Sequence, residues 1–599
     1  MNTKYMKKVL AVLLLVSGVV LSTSCSDDFL NVPPKDRYSD AAVWNDESLA
    51  SAFVNNIYEG QYYGLHDVIF SAIDDQAMEV WQWESQPVVN NGISPSYLGI
   101  LGHNFWIYSF GTLTWQSLYK SIRNCNIFLQ RTKESGFESD EMTRLTGEVH
   151  FMRGYFYSWL MSFYGGVPIV EKAYTPEDED MLVSRNTLAE TIDYIVADLD
   201  SAAALLPVSG DKARATKGAA LALKARVLLY AASDLFNSRC SWQPGYANVE
   251  LVSYTDGDRR VRWQKARDAA KAVMDLGVYH VVGEGGFSSA EAAIKNYEDM
   301  FFNHGTDEDI MLTYYDNVNT HSDWQTPAFA KTQSPNGFYG WGGNVPTQQM
   351  VDSYEMADGT KFSWENPEHA ANPYANRDPR FYATILYDGA YWKERPGGIK
   401  DAEPTGCVQT GYYENADGSW SPGYDTRNSP IYDWNGTYTG YYMRKWVDPS
   451  VDQMFEYEMW PYRQIRYTEV LLNYAECCIE LGDEAEARRV MNIFRKRAYM
   501  PLFDSSLSGA ALKQEYRDER NIELAFEQNR FFDIRRWMIA PDVIKTAKGI
   551  DIRYHYGQDK PTYTFKDVQE RQWDNKNYLL PIILSEMQKN ENLIQNPGY

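Results

Sequence analysis

Glu523 and Glu527 stand four residues apart in "RDERNIELAFEQNRFFDIRRW". On a helix that spacing puts both carboxylates on one face, and a carboxylate pair is what glycoside hydrolysis needs. The same stripe carries Arg520, Arg530, Asp533 and Arg536 at three- or four-residue steps. A guanidinium within reach of each carboxylate lowers its pKa and spoils it as a general acid. The stretch therefore reads as a structural ion-pair network, with a surface glycosidase as the minor alternative. Other catalytic chemistries lack their residues. The 8 histidines form no HExxH, and neither a GxSxG elbow nor a Walker-type phosphate loop is present. The 6 cysteines show no CxxC and no Cys/His pairing at zinc spacing. Cys125, Cys240, Cys407, Cys477 and Cys478 read as buried free thiols acting as small hydrophobes. The Asp- and Asn-rich loops leave room for a structural Ca²⁺ without an EF-hand pattern. No other cofactor is expected, and metal ligands stay unassigned.

The excess lies in the aromatics: 18 Trp, 44 Tyr and 25 Phe make up 15% of the chain. Trp81 and Trp83 sit in "EVWQWESQPVVNNGIS", Trp324 in "HSDWQTP", Tyr339 and Trp341 in "FYGWGGNVPT", and Trp392, Trp420 and Trp434 dot later loops. A tryptophan in a Gly/Asn-rich loop has little helical core to fill. Its ring offers a flat apolar face and an N–H at the edge. Sugar rings present C–H faces to such platforms, while Asn, Asp and Arg bind hydroxyls. Trp81, Trp83, Trp324, Tyr339, Trp341 and Trp434 are the candidate ligand-binding residues. Burial beneath a loop is the alternative for each, and the set is expected to hold at least one exposed platform.

These loops need a frame and an address. The net charge of −24 repels phosphate backbones, so nucleic acid is a poor partner. Residues 1–24 read as a signal: Lys4, Lys7 and Lys8 lead an apolar run, Val9–Leu21, too short to span a bilayer. Cys25 follows Ser22, Thr23 and Ser24 as in a lipobox, although Leu21 lies one place too far back. Lipidation at Cys25 is the reading, against an ordinary secretory signal with an incidental cysteine. Residues 25–45 then form a lipidated tether. From 46 to 279 helical periodicity dominates, as in Met142–Tyr164 and the small-residue run 214–236, and residues 263–277 look like an antiparallel partner of the latter. Residues 462–498 repeat the helix–turn–helix layout around Gly482–Asp483, and 461–599 complete the scaffold with helical units. Such pairs resemble tetratricopeptide units without a strict 34-residue period. Between them, 280–460 is rich in Gly, Pro, Asn, Tyr and Trp with little helical periodicity, a loop-rich ligand-binding subdomain.

Seven segments in order carry a family likeness. They are "CSDDFLNVPPKDRYSDAAVW", "RGYFYSWLMSFYGGVPIV", "RATKGAALALKARVLLYAA", "VPTQQMVDSYEMADG", "YRQIRYTEVLLNYAE", "RNIELAFEQNRFFDIRRW" and "LLPIILSEMQKNENLIQNPGY". The chain resembles the SusD/RagB family of outer-membrane lipoproteins over nearly its whole mature length, departing locally at Ile582–Ile583, where proline is common after the isoleucine. The resemblance implies a mainly α fold, a tetratricopeptide-like helix-pair scaffold with an irregular loop-rich subdomain. It also implies a non-enzymatic glycan-binding lipoprotein, displayed at the cell surface, that partners a SusC-like TonB-dependent transporter. A RagB-like partner for peptide or another nutrient is the alternative. Asp27 and Asp28, just after the anchor, fit the family's surface-display signal or merely solvate the tether.

Overall fold

The computed structural model describes residues 43–62, 64–65, 68–83, 85–102, 109–175, 177–178, 180–315, 329–431, 434–452, 454 and 460–599. The anchor cysteine Cys25 and the candidate Trp324 lie outside these residues.

Helices predominate. α1 (Glu47–Tyr58), α2 (Trp115–Ser135), α3 (Asp140–Tyr164), α4 (Leu188–Leu205), α5 (Lys217–Ala232) and α6 (Arg259–Met274) form the first part of the scaffold. Most begin on a polar cap that the sequence advertises. Ser139 accepts from Met142 N–H at 3.1 Å, and Thr187 and Glu190 close a reciprocal capping box. α2 packs on α3, α3 on α4, α4 on α5 and α5 on α6, so each helix buries its apolar stripe against its neighbours. Glycines let the contacts close. A Cβ on Gly154 of α3 would come within 3.1 Å of Leu199 on α4. α5, the run of small residues, is buried on nearly every side.

The array continues through α8 (Tyr467–Leu481), α9 (Glu484–Arg497), α10 (Gly509–Glu523) and α11 (Asn529–Arg536), with α8 packed on α6, α9 and α10. Four departures from the sequence expectation stand out. Residues 462–466 form a strand rather than the start of α8, and all five are buried, which hides the alternation of a strand. Residues 290–301 form an amphipathic helix, α7, inside the loop-rich region, capped by Ser289 and burying Ala293, Tyr297, Met300 and Phe301. Residues 547–569 form an antiparallel hairpin within the C-terminal segment expected to be helical. Glu523 and Glu527 do not share a helix, because left-handed Phe526 and Gln528 (both φ 63°) end α10 and restart the chain as α11.

Short strands tie distant segments together. β1 (Ala77–Glu79) pairs with β3 (Asn344–Pro346), β2 (Asp309–Thr313) with β8 (Tyr462–Arg466), and β4 (Ile385–Leu386) with β7 (Tyr442–Met443). β5 (Tyr412–Glu414) and β6 (Trp420–Pro422) extend the hairpin of β9 (Ala547–Tyr554) and β10 (Thr562–Gln569) into a four-stranded sheet. One apolar core runs from Trp44 to Leu593. Cys125, Cys240, Cys477 and Cys478 are buried free thiols within or beside it, and Cys407 is half-buried. Among the described residues no helix is long and apolar enough to cross a membrane.

Candidate functional site

The carboxylates that opened the sequence reading lie in a seam where β2 and β8 meet the ends of α9 and α10. Glu523 is fully buried and pairs with Arg466 at 3.1 Å, with Arg380 at 3.2 Å, and with Arg497. Glu527 pairs with Lys445 at 2.6 Å and Arg466 at 2.7 Å, and Arg466 reaches Glu308 at 2.6 Å. Burial pushes the Glu523 carboxyl up, but the charges of Arg497, Arg466 and Arg380 outweigh it and hold the pKa at about 2. A carboxylate ionised at neutral pH and sealed from solvent has no proton to give. The network joins residues of the loop-rich region (Glu308, Arg380, Lys445) to the C-terminal helices (Arg497, Glu523). Its work is cohesion. A second buried set, Glu476 with Arg536 and Asp533 with Arg520 and Arg536, ties α8, α10 and α11 together.

The tryptophans behave differently. β1 and β3 are antiparallel, with Glu79 opposite Asn344, and the next rung is Val80 N–H to Gly343 O at 3.0 Å. The chain leaving β1 and the chain entering β3 therefore emerge side by side, which brings Trp81 and Trp341 together across 260 residues of sequence. Their rings meet edge to face, centroids 6.2 Å apart. Trp83 lies 6.5 Å from Trp81, and Trp434 lies 6.4 Å from Trp341. The result is a row of four indoles, Trp83–Trp81–Trp341–Trp434. The two inner rings are half-buried, while Trp83 is 67% and Trp434 48% exposed. Exposed indoles in contact with one another are the kind of apolar patch that marks a binding surface.

The row is held rigidly. Gln82, between the first two tryptophans, adopts a left-handed φ of 59°, which turns Trp83 out of the strand line. For a residue other than glycine such a conformation costs roughly 1–2 kcal/mol, and strain of this sort clusters at ligand sites. The Trp341 loop is stitched to the segment before it: Trp341 N–H donates to Lys331 O at 2.9 Å and Gly342 N–H to Ser334 O at 3.0 Å. The Lys331 ammonium lies 5.8 Å from the centre of the Trp341 ring. Gly342 has φ 59°, and a Cβ there would sit 2.6 Å from the Tyr442 ring. Tyr442 is itself the clasp of the later loops. Its hydroxyl accepts from Thr437 N–H at 3.0 Å and lies 2.8 Å from Asp425 O and 2.9 Å from Asn336 Oδ1. Asn336 in turn donates to Thr426 O at 2.9 Å and to Asn435 O at 3.4 Å, which fixes the backbone beside Trp434. Beneath these loops the buried Arg395 pairs with Asp425 at 2.7 Å and Glu403 at 2.9 Å and covers the Phe338 ring at 4.1 Å.

Tyr339 lies two residues before Trp341, half-buried, at a left-handed φ of 64°. Of the other loop tryptophans, Trp392 is core at 2% exposure, and Trp420 belongs to the four-stranded sheet, where its ring meets His555 and Arg553. Sequence reasoning missed Gln82, Lys331 and Gly342 as parts of the site. Only the strand pairing reveals them. Among the described residues no group of three or more His, Cys, Asp and Glu side chains is placed to hold a metal ion.

A helix-pair array carrying irregular loops, with an indole row held between strand ends, defines a class of surface-binding scaffold. Residues 307–599 match the model of the SusD family, and residues 28–229 match one described as starch-binding and associating with the outer membrane. The chain belongs to the SusD/RagB family. A SusD-like protein of Formosa agariphila is 25% identical over 343 residues, which span 52% of this chain and 63% of that relative. A SusD-like protein of Bacteroides ovatus is 22% identical over 549 residues, 88% of this chain and 82% of the other. The crystal structure of a SusD-like protein from Bacteroides fragilis NCTC 9343 superposes with a TM-score of 0.73 at 28% identity, covering 95% of this chain and all of that one. A SusD-like carbohydrate binding protein from the same strain shares the fold at 24% identity and a TM-score of 0.67, covering 92% of this chain and 100% of that chain.

Proposed function

We propose that this protein is a non-catalytic glycan-binding lipoprotein of the outer membrane. It is anchored through Cys25 and exposed on the cell surface, captures oligosaccharide on the indole row, and hands it to a SusC-like TonB-dependent transporter. The observation that carries the reading is the contact chain Trp83–Trp81–Trp341–Trp434, whose two end rings are left exposed on a preorganised backbone. Pyranose rings stack their C–H faces on such rings, and a row of them suits a chain of sugars better than a single one. Family membership supports the same reading, as does the carbohydrate binding described for a neighbour in fold.

Calorimetry of the purified protein against a panel of neutral and acidic oligosaccharides tests it. At least one is expected to bind, and Trp83→Ala is expected to weaken it about 30-fold, as for a tryptophan anchor worth 2 kcal/mol or more. Thermal stability should stay within about 0.5 kcal/mol, since Trp83 is a surface residue. Failure of every oligosaccharide to bind would remove the carbohydrate part of the proposal.

A further inference from the structure

Beside the indole row the loop that carries Trp434 walls a cavity of about 200 Å³. Arg427, Asn428 and Thr437 contribute from the loop, and Tyr412, Asp551 and Lys566 from the four-stranded sheet. At roughly 30 Å³ per water the space takes about seven waters, enough for one ring substituent and part of its ring rather than a whole oligosaccharide.

The charges around it are uneven. Asp551 is engaged by Arg553 at 2.6 Å. Arg553 in turn lies over the Tyr412 ring at 4.4 Å. The partners described for Arg427 are a ring and a carbonyl rather than a carboxylate: its guanidinium covers Tyr438 at 4.0 Å, and Nη1 donates to Gly436 O at 3.4 Å. Lys566 lines the same cavity from β10. The lining thus holds two cations, Arg427 and Lys566, and one carboxylate, Asp551, which Arg553 already engages, in a protein whose net charge is −24. Like charges brought together gain nothing from one another, and the protein's overall field repels anions. An anion in the cavity would give Arg427 the charged partner that its described contacts do not include, the guanidinium fork matching a carboxylate or sulfate, and Lys566, which already faces Asp551, would add a second positive charge. Asn428 and Thr437 add neutral donors of the kind that orient such a group. Thr437 is three residues from Trp434, a span of at most about 10 Å, so one ligand can lie on the indole and reach the cavity.

Resting on the glycan-binding reading above, we infer that this cavity is an acidic-group subsite: it receives the carboxylate of a uronic acid or a sulfate ester on the oligosaccharide held by the indole row. The ligand class is thereby an anionic glycan.

The test is calorimetry with matched probes: oligogalacturonate, a sulfated galactan fragment, and neutral galactan and glucan fragments of equal length. An anionic probe should bind more tightly than its neutral counterpart, and Arg427→Gln and Lys566→Gln should each weaken it about tenfold while leaving melting unchanged. Response to the uronate alone or to the sulfated fragment alone identifies the group, and either supports the subsite. Tight binding of a neutral probe with no gain for either anionic one overturns the inference and leaves the indole row standing. Anionic binding that survives both substitutions also overturns it. Binding of no probe at all removes both this subsite and the glycan reading.

Discussion

Two regions of this protein are rich in residues that do chemistry elsewhere, and they are put to opposite uses. In the seam between β2, β8, α9 and α10, glutamates and arginines are sealed at 0–5% exposure, each with two or more opposite charges. On the loop face, indoles that would serve well in a core are left half in water. In the first, every charge is already answered by the protein, so nothing remains for a substrate. In the second, the apolar faces are positioned and then left unanswered. Reactive residue types therefore say less about function than whether the fold has spent them internally.

Breaking the seam should have the largest effect. Glu523→Gln leaves Arg466, Arg497 and Arg380 short of a counter-charge in a dry environment, and chemical denaturation should show a loss of about 3–5 kcal/mol. Ligand affinity per folded molecule should be unchanged. A variant that folds normally but loses binding would erase the distinction between the regions. The pH response sharpens it further. Glu523 and Glu476 are held at about 2 against ordinary values of 4.5, burial being overcome by the arginines beside them. Groups with a depressed folded-state pKa contribute stability that is present above the unfolded value and lost as pH falls through the folded one. Stability should thus decline between about pH 4.5 and 2, by about 3 kcal/mol for each, as followed by circular dichroism. On the loop face the Trp83→Ala loss of about 2 kcal/mol in affinity should come without any loss of fold. The smallest effect is expected from Gly342→Ala. A methyl at φ 59° costs about 1–2 kcal/mol in backbone strain, its 2.6 Å approach to the buried Tyr442 ring adds to that, and it should weaken ligand binding only several-fold by shifting Trp341.

Much of the scaffold could be read directly. α3, α5 and the α8–α9 pair follow from periodicity, caps and the Gly482–Asp483 turn. Two of the misreadings have separate causes that local pattern hides. β8 is buried on both faces and so shows no alternation, and the α10–α11 break rests on left-handed Phe526 and Gln528, residue types that give no warning of positive φ. For the site, composition pointed to Trp81, Trp83, Tyr339, Trp341 and Trp434 as individual candidates. It offered no sign that four of them touch, that Trp392 is core, or that Gln82 is the hinge between two of the four.

By itself the sequence determined the helical architecture and the kind of surface to look for, because those depend on local periodicity, turn chemistry and the excess of aromatic residues over what a core needs, and seven ordered segments carried the resemblance to the family. Only the tertiary structure decided which residues act together. The β1–β3 ladder closes a loop of 260 residues to set Trp81 against Trp341, and the β2–β8 ladder gathers Glu308, Arg466, Glu523 and Glu527 into one seam. Contacts of that range leave no imprint on local pattern, since any number of pairings would preserve the same spacing along the chain.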